Sequence, residues 1–372
     1  MHEKFMKLAI KEAEKGLGSV SPNPVVGAVL VDPKNGQIIA KGHHRCYGCP
    51  HAEVEAIKKA GEKTRGAILY VTLEPCNHYG KTPPCTQAIL KAGIKEVICG
   101  IRDPNPVARG GLEFLKDSGV KVFSGVLENE VKYLTRFFLS RVLRGRPWVI
   151  MKVASSLDGK ISVSTGDSKW ITGEKSRKKG HYLRKMCDAI LVGKNTVLLD
   201  DPELTCRMVK GKNPVRIVLD TRLSLPPNLK IFDTKVAPTV VVCADTTSKE
   251  KEEEFKKRGV KIWRVGLKKD KIDLKEVLNR ALEAGINSIL VEGGGKVHGS
   301  FVEERLIDEI YYFFGPLIIG DELGASAVKS SPLKRLKDAL KVKILEVKRL
   351  GEDVLIKGLT DTGLKLLNTP LG

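Results

Sequence analysis

No run of about 18 or more apolar residues occurs in this 372-residue sequence, so no membrane-spanning helix is expected. The opening segment, MHEKFMKLAIKEAEKG, is charged and reads as an amphipathic helix. It lacks the apolar core and small-residue cleavage site of a secretion signal, and a cytoplasmic protein is the expectation. No fixed-period repeat and no low-complexity segment is present, which excludes repeat arrays. Basic residues are plentiful but not clustered. The net charge is +20, yet residues 1–146 hold 23 Lys/Arg against 14 Asp/Glu and residues 147–372 hold 41 against 30. Clustering marks a nucleic-acid footprint, and without a basic tail or lysine block no nucleic-acid partner is expected. Two readings of the excess charge remain open: a generally Lys/Glu-rich surface, or a basic pocket for phosphorylated small molecules. Eight cysteines in a chain without a secretion signal point to metal ligands or buried thiols rather than disulfides. Cys99 and Cys243 sit in apolar runs and read as small buried hydrophobes.

The length allows two domains at roughly 100–200 residues each. Helix and strand patterns alternate throughout. AILYVTL (67–73) and KEVICGI (95–101) have the apolar continuity of buried strands. HAEVEAIKKAG (51–61) and CTQAILKAG (85–93) have helical spacing and end in glycine. After the helical stretch NEVKYLTRFFLSRVL, the segment VLRGRPWV (142–149) reads as a linker, which places the domains at 1–145 and 146–372. The second half restarts the alternation with strands in WVIMKVAS, AILVGK, VRIVLD, TVVVCA, VKIWRV and SILVEG. DEIYYFFGPLII and VKILEVKRLGEDVLIKGL read as antiparallel strands, so this half is a mixed sheet. The fold class is α/β in both halves.

Three metal-ligating side chains fall in two short motifs. Pro50-His51-Ala52-Glu53 is followed by Glu74-Pro75-Cys76 and, nine residues on, by Cys85. One imidazole and two thiolates leave a fourth tetrahedral position open, the arrangement of a catalytic zinc. Zinc lowers the pKa of bound water towards ~7. Glu53 is the residue to carry the proton, because ammonia leaves poorly until protonated. His51 and Glu53, two apart, can reach one point only from the opening turn of a helix, and Pro50 fits a helix start. Both cysteines stand at strand–helix junctions, where a helix N-terminus favours a thiolate. The order of motifs matches the zinc-deaminase pattern, but the two cysteines are separated by NHYGKTPP where that pattern has two residues. Two further readings are an RNA-editing deaminase with an appended binding domain and a non-catalytic zinc-stabilised binding protein. Cys46 and Cys49 form a CxxC just before His51; they read as incidental thiols, with a second metal pair or a redox pair as alternatives.

In the second half, Glu292-Gly293-Gly294-Gly295 follows the strand SILV and precedes a helical VHGSFVEE. Glycines at such a junction let backbone N–H groups approach a phosphate. The G-x-G-x-x-G spacing of an ordinary dinucleotide fold is absent. Arg184 and Arg207 can fork onto phosphate oxygens, and Asp200-Asp201 reads as a cap or turn.

The loop TLEPCNHYGKTPPC, with SPNPVVGAVLV (21–31) and GHHRCYGCPHAE (42–53), resembles the deaminase half of the RibD family of bifunctional riboflavin-biosynthesis enzymes. KVASSLDGKIS (152–162), DSKWIT (167–172), residues 184–207 and VEGGGKVHGSF (291–301) resemble its reductase half, in the family's order and over nearly the whole chain. The resemblance implies an N-terminal cytidine-deaminase-like α/β/α sandwich and a C-terminal dihydrofolate-reductase-like α/β domain. It implies zinc on His51, Cys76 and Cys85, with Glu53 catalytic. It implies removal of the 2-amino group of 2,5-diamino-6-(5-phosphoribosylamino)pyrimidin-4-one, then reduction of the ribosyl group by NADPH to give 5-amino-6-(5-phosphoribitylamino)uracil. By position, Asn23, His44, His78, Lys81 and Thr82 would line the first pocket. Ala154, Trp170, Thr196, Asp200 and Thr221 would contact NADPH, as would Gly294, Gly295, Lys296, Val297, His298, Gly299 and Ser300. Asp200 would also assist proton transfer. Ser168, Arg184, Leu204, Arg207 and Glu292 would contact the second substrate. A homodimer through the reductase half is a further implication.

Overall fold

The computed structural model describes residues 1–371 and divides into two units, Met1–Gly145 with the tail from Leu367 onward, and Arg146–Leu366. The sequence places the tail with the second domain; the structure groups it with the first, where the Thr369 carbonyl accepts a 2.9 Å hydrogen bond from Lys132 Nζ.

The first unit is built on five strands: β1 (Gly27–Val31), β2 (Ile38–His43), β3 (Ile68–Leu73), β4 (Glu96–Ile101) and β5 (Lys121–Phe123). Their order is β2-β1-β3-β4-β5; β1 is antiparallel to both neighbours, and β3, β4 and β5 run parallel. Six helices accompany them: α1 (His2–Ala13), α2 (Ala52–Ala60), α3 (Cys85–Lys91), α4 (Gly111–Asp117), α5 (Glu128–Leu134) and α6 (Arg136–Arg144). Two glycines show how the layers are made. Gly42 pairs with Ala28, so Gly42 and Gly27 face opposite sides of the sheet. A Cβ on Gly27 would lie 2.1 Å from the Ala9 carbonyl of α1, and one on Gly42 would lie 2.2 Å from the Ala52 carbonyl of α2. One helix therefore presses on each face, which makes an α/β/α sandwich. The single helix read in NEVKYLTRFFLSRVL is two, α5 and α6. They part at Thr135 (φ −92°, ψ 9°), whose hydroxyl donates to the Val131 carbonyl and so competes with the helix backbone.

The second unit carries β6 (Trp148–Ser155), α7 (Glu174–Met186), β7 (Ala189–Gly193), α8 (Lys194–Asp200), β8 (Val215–Leu219), β9 (Thr239–Ala244), α9 (Glu250–Lys257) and β10 (Lys261–Val265). A short hairpin, β11 (Leu267–Lys268) and β12 (Lys271–Ile272), leads to α10 (Leu274–Glu283). β13 (Ser288–Val291), α11 (Gly295–Glu303), β14 (Glu309–Phe314), β15 (Val342–Leu350), β16 (Asp353–Thr360) and α12 (Asp361–Leu367) complete it. Nine strands form one sheet in the order β10-β9-β8-β7-β13-β6-β14-β16-β15. β14 differs from the sequence reading: it is parallel to β6 on one side and antiparallel to β16 on the other. It is thus the seam between a seven-stranded parallel block and the closing hairpin. Alternate residues of the parallel strands, among them Val149, Met151, Leu191, Ile217 and Val242, join Val277, Leu278 and Ala281 of α10 in one buried cluster. Both faces of β7 and β13 are buried, as in parallel sheets covered by helices on each side. Among the described residues no helix is long and apolar enough to cross a membrane.

Candidate functional sites

The first site forms at the ends of β2, β3 and β4. His51 is the N-cap of α2, extended at φ −72° and ψ 165°, and Glu53 lies in its first turn. Cys85 opens α3 after Pro84. Cys76 lies three residues beyond β3 in the connecting loop, not at a helix start as the sequence suggests. Its sulfur instead faces the Cys85 backbone N–H at 3.5 Å. The His51 Nδ1 is 3.2 Å from Cys85 Sγ and 3.5 Å from Cys76 Sγ, and the three donors lie within 4.8 Å of one another. Zinc bonds of ~2.0–2.1 Å to nitrogen and ~2.3 Å to sulfur place tetrahedral N and S donors about 3.6 Å apart, so this donor set fits zinc. The hydrogen bond from Cys85 and, against burial, that from His51 pull the Cys76 thiol well below its ordinary range. Cys85 is raised in turn, so the pair carries a negative charge suited to a cation.

Burial lifts the Glu53 carboxyl to about 7 despite the nearby His51, and its Oε2 is buried without a partner. A proton carrier near neutrality is what hydrolytic deamination needs. A cavity of about 360 Å³ opens above, lined by Asn23, His44, His51, Glu53, Cys76, His78, Lys81 and Thr82. All five pocket residues taken from the resemblance therefore reach one cavity. Asn23 Nδ2 stands 3.1 Å from His44 Nε2, and His44 Nδ1 stands 3.1 Å from the Pro50 carbonyl. With Nδ1–H donating to Pro50, Nε2 accepts from the Asn23 amide, and burial lowers the His44 pKa, keeping it neutral. Lys81 Nζ sits 3.9 Å from the centre of the Tyr47 ring. Cys46 and Cys49, read as incidental thiols, are joined in a disulfide in the same loop.

Asp103, Asn105 and Arg141 also line this cavity and were missed by sequence reasoning. The first two follow β4 in Asp103-Pro104-Asn105-Pro106, a turn at a strand's carboxyl end that could have been flagged. Burial raises the Asp103 carboxyl to about 6. Arg141 comes from α6, and nothing in its local sequence signals the site. Behind the wall, the buried Glu74 carboxylate accepts from the backbone N–H groups of Asp103, Gly110 and Leu112 at 2.9–3.0 Å. It thereby ties the loop after β4 to the Pro75-Cys76 turn.

The second site is a cavity of about 530 Å³ at the carboxyl ends of the parallel strands. Ala154, Trp170, Thr196, Asp200, Gly294 and His298 line it, as do Ser168, Arg184, Arg207 and Glu292. Thr221 and Leu204 do not line it: Thr221 follows β8, where its carbonyl accepts from Thr247 Oγ1, and Leu204 is buried. Within α11 the glycine run divides. A Cβ on Gly295 or Gly299 would lie 2.1 Å from the Ser326 carbonyl or 1.9 Å from that of Lys329, so packing of the 326–329 segment requires those two. Gly294, the N-cap of α11, faces the cavity, with only Thr196 Oγ1 at 3.6 Å. That opening at a nine-residue helix start fits a dinucleotide phosphate. Val297 packs on the Gly193 and Gly293 backbones, Ser300 Oγ donates within the helix to Lys296, and Lys296 lies on the helix.

Arg184 Nε and Nη2 fork onto the Glu292 carboxylate at 2.8 and 3.0 Å, and Lys152 Nζ stands 3.6 Å away. Against the cost of burial, the Arg184 and Lys152 charges hold Glu292 at about 2. Lys152, a lysine interrupting the apolar strand WVIMKVAS, is a lining residue the sequence reading did not single out. So is His181, which burial and the Arg184 and Arg207 charges lower to about 4. Asp200, the last residue of α8, is 3.5 Å from Lys169 Nζ, and the Trp170 ring stacks on Arg177 at 4.4 Å.

Comparisons with known proteins give a match for each half of the chain. Residues 1–101 match the cytidine and deoxycytidylate deaminase zinc-binding region, and residues 147–356 match the RibD C-terminal domain. The riboflavin biosynthesis protein RibD of Bacillus amyloliquefaciens is 42% identical over 98% of this chain and 97% of its own. That of Aquifex aeolicus is 44% identical over 95% and 96%. A solved structure from Thermotoga maritima, a diaminohydroxyphosphoribosylaminopyrimidine deaminase/5-amino-6-(5-phosphoribosylamino)uracil reductase, superposes with a TM-score of 0.85 at 42% identity, covering 96% of this chain and 98% of its own. The chain belongs to the RibD family, whose members join a zinc-dependent deaminase to an NADPH-dependent reductase for riboflavin biosynthesis.

Proposed function

We propose that the first unit removes the 2-amino group of 2,5-diamino-6-(5-phosphoribosylamino)pyrimidin-4-one and that the second reduces the ribosyl group of the product to ribityl. The observation that carries the first step is the set of three donors, His51, Cys76 and Cys85, beneath a cavity into which the buried Glu53 reaches. These residues would hold zinc, which supplies hydroxide at neutral pH. Glu53 would carry both protons of the attacking water, the first to the ring nitrogen and the second to the departing amine. Asn23 and the neutral His44 form one wall for the ring, and His78, Lys81 and Thr82 form the other. In the second unit, Ala154, Trp170, Thr196, Asp200 and the α11 start would hold NADPH, with Thr221 at the adenosine end. Ser168, Arg184, Arg207 and Glu292 would hold the substrate, the arginines meeting its phosphate, and Leu204 would support that wall. Asp200 assists the proton transfer that accompanies hydride delivery to the sugar C1′.

The partners in this reading are phosphorylated pyrimidines, and the even charge distribution argues against nucleic acid. The working place is the cytoplasm. A homodimer through the reductase half is supported by β15, an edge strand exposing Ile344, Leu345 and Val347. Light scattering should give about twice the 40.9 kDa chain mass, and a Val347→Glu variant should shift it to the monomer.

A coupled assay on the zinc-loaded protein tests both steps. Ammonia release and NADPH oxidation are both expected from the diaminopyrimidine phosphate. Cys85→Ala and Glu53→Gln should lose ammonia release, the latter by about 10²–10⁴-fold. Asp200→Asn should keep ammonia release and lose NADPH oxidation. Ammonia release intact in Glu53→Gln would overturn the mechanism.

A further inference from the structure

We propose that Cys46 and Cys49 form a redox modification site: a dithiol reduces their disulfide, and the first cavity then holds the pyrimidine more weakly while the zinc chemistry and the reductase step are unchanged. The inference rests on the deaminase reading above. The pair spans a turn in the connection between β2 and α2, where the Cys49 backbone N–H donates to the Cys46 carbonyl at 3.0 Å and the two sulfurs are bonded. Gly48 in this turn sits at φ 82°, a left-handed conformation that suits glycine. The other six cysteines are free and buried, two of them among the metal donors. Cys46 and Cys49 are half-buried on a connecting loop, so theirs is the sulfur pair that an external dithiol can reach. A disulfide that closes so short a loop constrains the unfolded chain less than a long-range one, and its consequence is local.

The turn stands between residues that make the cavity. His44 precedes it and Pro50-His51 follow it, and His44 Nδ1 lies 3.1 Å from the Pro50 carbonyl. Tyr47, Gly48 and Cys49 themselves line the cavity. The Tyr47 ring, 49% exposed and so not fixed by burial, lies under Lys81 Nζ at 3.9 Å. Gly48 faces the Lys81 stem, and a Cβ there would lie 3.8 Å from Lys81 Cδ. The turn therefore holds Lys81, part of the opposite wall, in one place. Reduction breaks the S–S bond. A thiolate of the dithiol attacks one sulfur and its second thiol completes the exchange. Two electrons and two protons pass to Cys46 and Cys49 as the dithiol closes to its own disulfide. The freed turn lets Tyr47 and Lys81 move, so substrate binding has to order them and is weakened by that cost. His51 and Glu53 belong to the start of α2, Cys85 to α3, and Cys76 follows β3, all outside the turn, so bound substrate reacts as before.

The test compares full-length zinc-loaded protein, oxidised or reduced with dithiothreitol and then desalted, with zinc content measured in each sample. Intact mass should rise by two hydrogens on reduction. The deaminase KM should rise by on the order of tenfold with kcat unchanged, and NADPH oxidation on the deaminated substrate should stay the same. Hydrogen exchange, which needs no turnover, should speed up in residues 44–51 and 78–82 and stay constant in the second unit. The double variant Cys46→Ser with Cys49→Ser should show the reduced protein's KM and exchange under both treatments. Equal KM or equal exchange in the two states, or a dithiol response that survives in the double variant, would overturn the assignment and leave the deaminase reading in place. A kcat loss that tracks zinc content would put the effect on the metal donors and overturn it as well. No ammonia release from either state would overturn the deaminase reading and this assignment together.

Discussion

His181 shows how a side chain unremarkable in sequence acquires a distinct property from its neighbours. It is buried on α7, faces Arg184 and Arg207, and has Glu292 nearby as the opposing charge. Burial and the two guanidinium charges lower its pKa from 6.5 to about 4. The unfolded chain therefore binds this proton first as pH falls. The stability tied to neutral His181 is fully present above pH 6.5 and is lost as pH falls towards 4. Thermal melting of the second unit should drop across that window in the wild type, and His181→Gln should melt with a flatter pH profile there. Parallel profiles would show that folding leaves the imidazole pKa where it is in the unfolded chain, so that burial and the two guanidinium charges do not lower it. The same residue scale separates Glu292 from an ordinary surface acid: buried and forked by Arg184, it stays charged in the cavity.

Between elements, the approach of α4 to the Pro75-Cys76 turn sets a metal ligand in place. A Cβ on Gly111 would lie 1.8 Å from the Pro75 carbonyl, and the Glu74 carboxylate receives the N–H groups on either side of that glycine. Gly111→Ala must push α4 off the turn or displace Cys76. Zinc affinity should fall by about 10–100-fold, the range seen when groups supporting metal ligands are lost. Competition with a chromophoric chelator reads the affinity directly, and NADPH binding should be unchanged. Zinc affinity equal to the wild type would mean that the turn shifts without moving the sulfur. Most elements were legible beforehand. The glycine stops of α2 and α3 are found at Gly61 and Gly93, both at positive φ, and the helix starts at His51 and Cys85 follow Pro50 and Pro84. The break at Thr135 was not legible, because apolar periodicity runs straight through it and only the hydroxyl's bond to Val131 marks the interruption.

For the molecule as a whole, the two sites are built from separate units, each with its own sheet. A mixture of Glu53→Gln and Asp200→Asn proteins should therefore convert the diaminopyrimidine phosphate to the ribityl product, with a lag while intermediate accumulates. Neither variant alone should do so. Absence of product from the mixture, with both variants folded, would show that the intermediate does not pass through solution.

The sequence by itself determined which chemistry each half can perform. His51, Glu53, Cys76 and Cys85 have side-chain chemistry and local strand–helix positions that need no long-range information, and the motif order carried the family. Tertiary structure alone decided which residues share a cavity. Asp103 and Arg141 reach the first pocket from β4 and α6, and Lys152 meets Glu292 across 140 positions of sequence because β6 and β13 are paired neighbours. It also divided the glycine run of α11 into Gly294 at the cavity and Gly295 and Gly299 under a packed segment. Local pattern reports what a backbone segment can become. Pairing across a sheet and close packing between layers are set by contacts far apart in the chain, and those contacts choose the walls of a site.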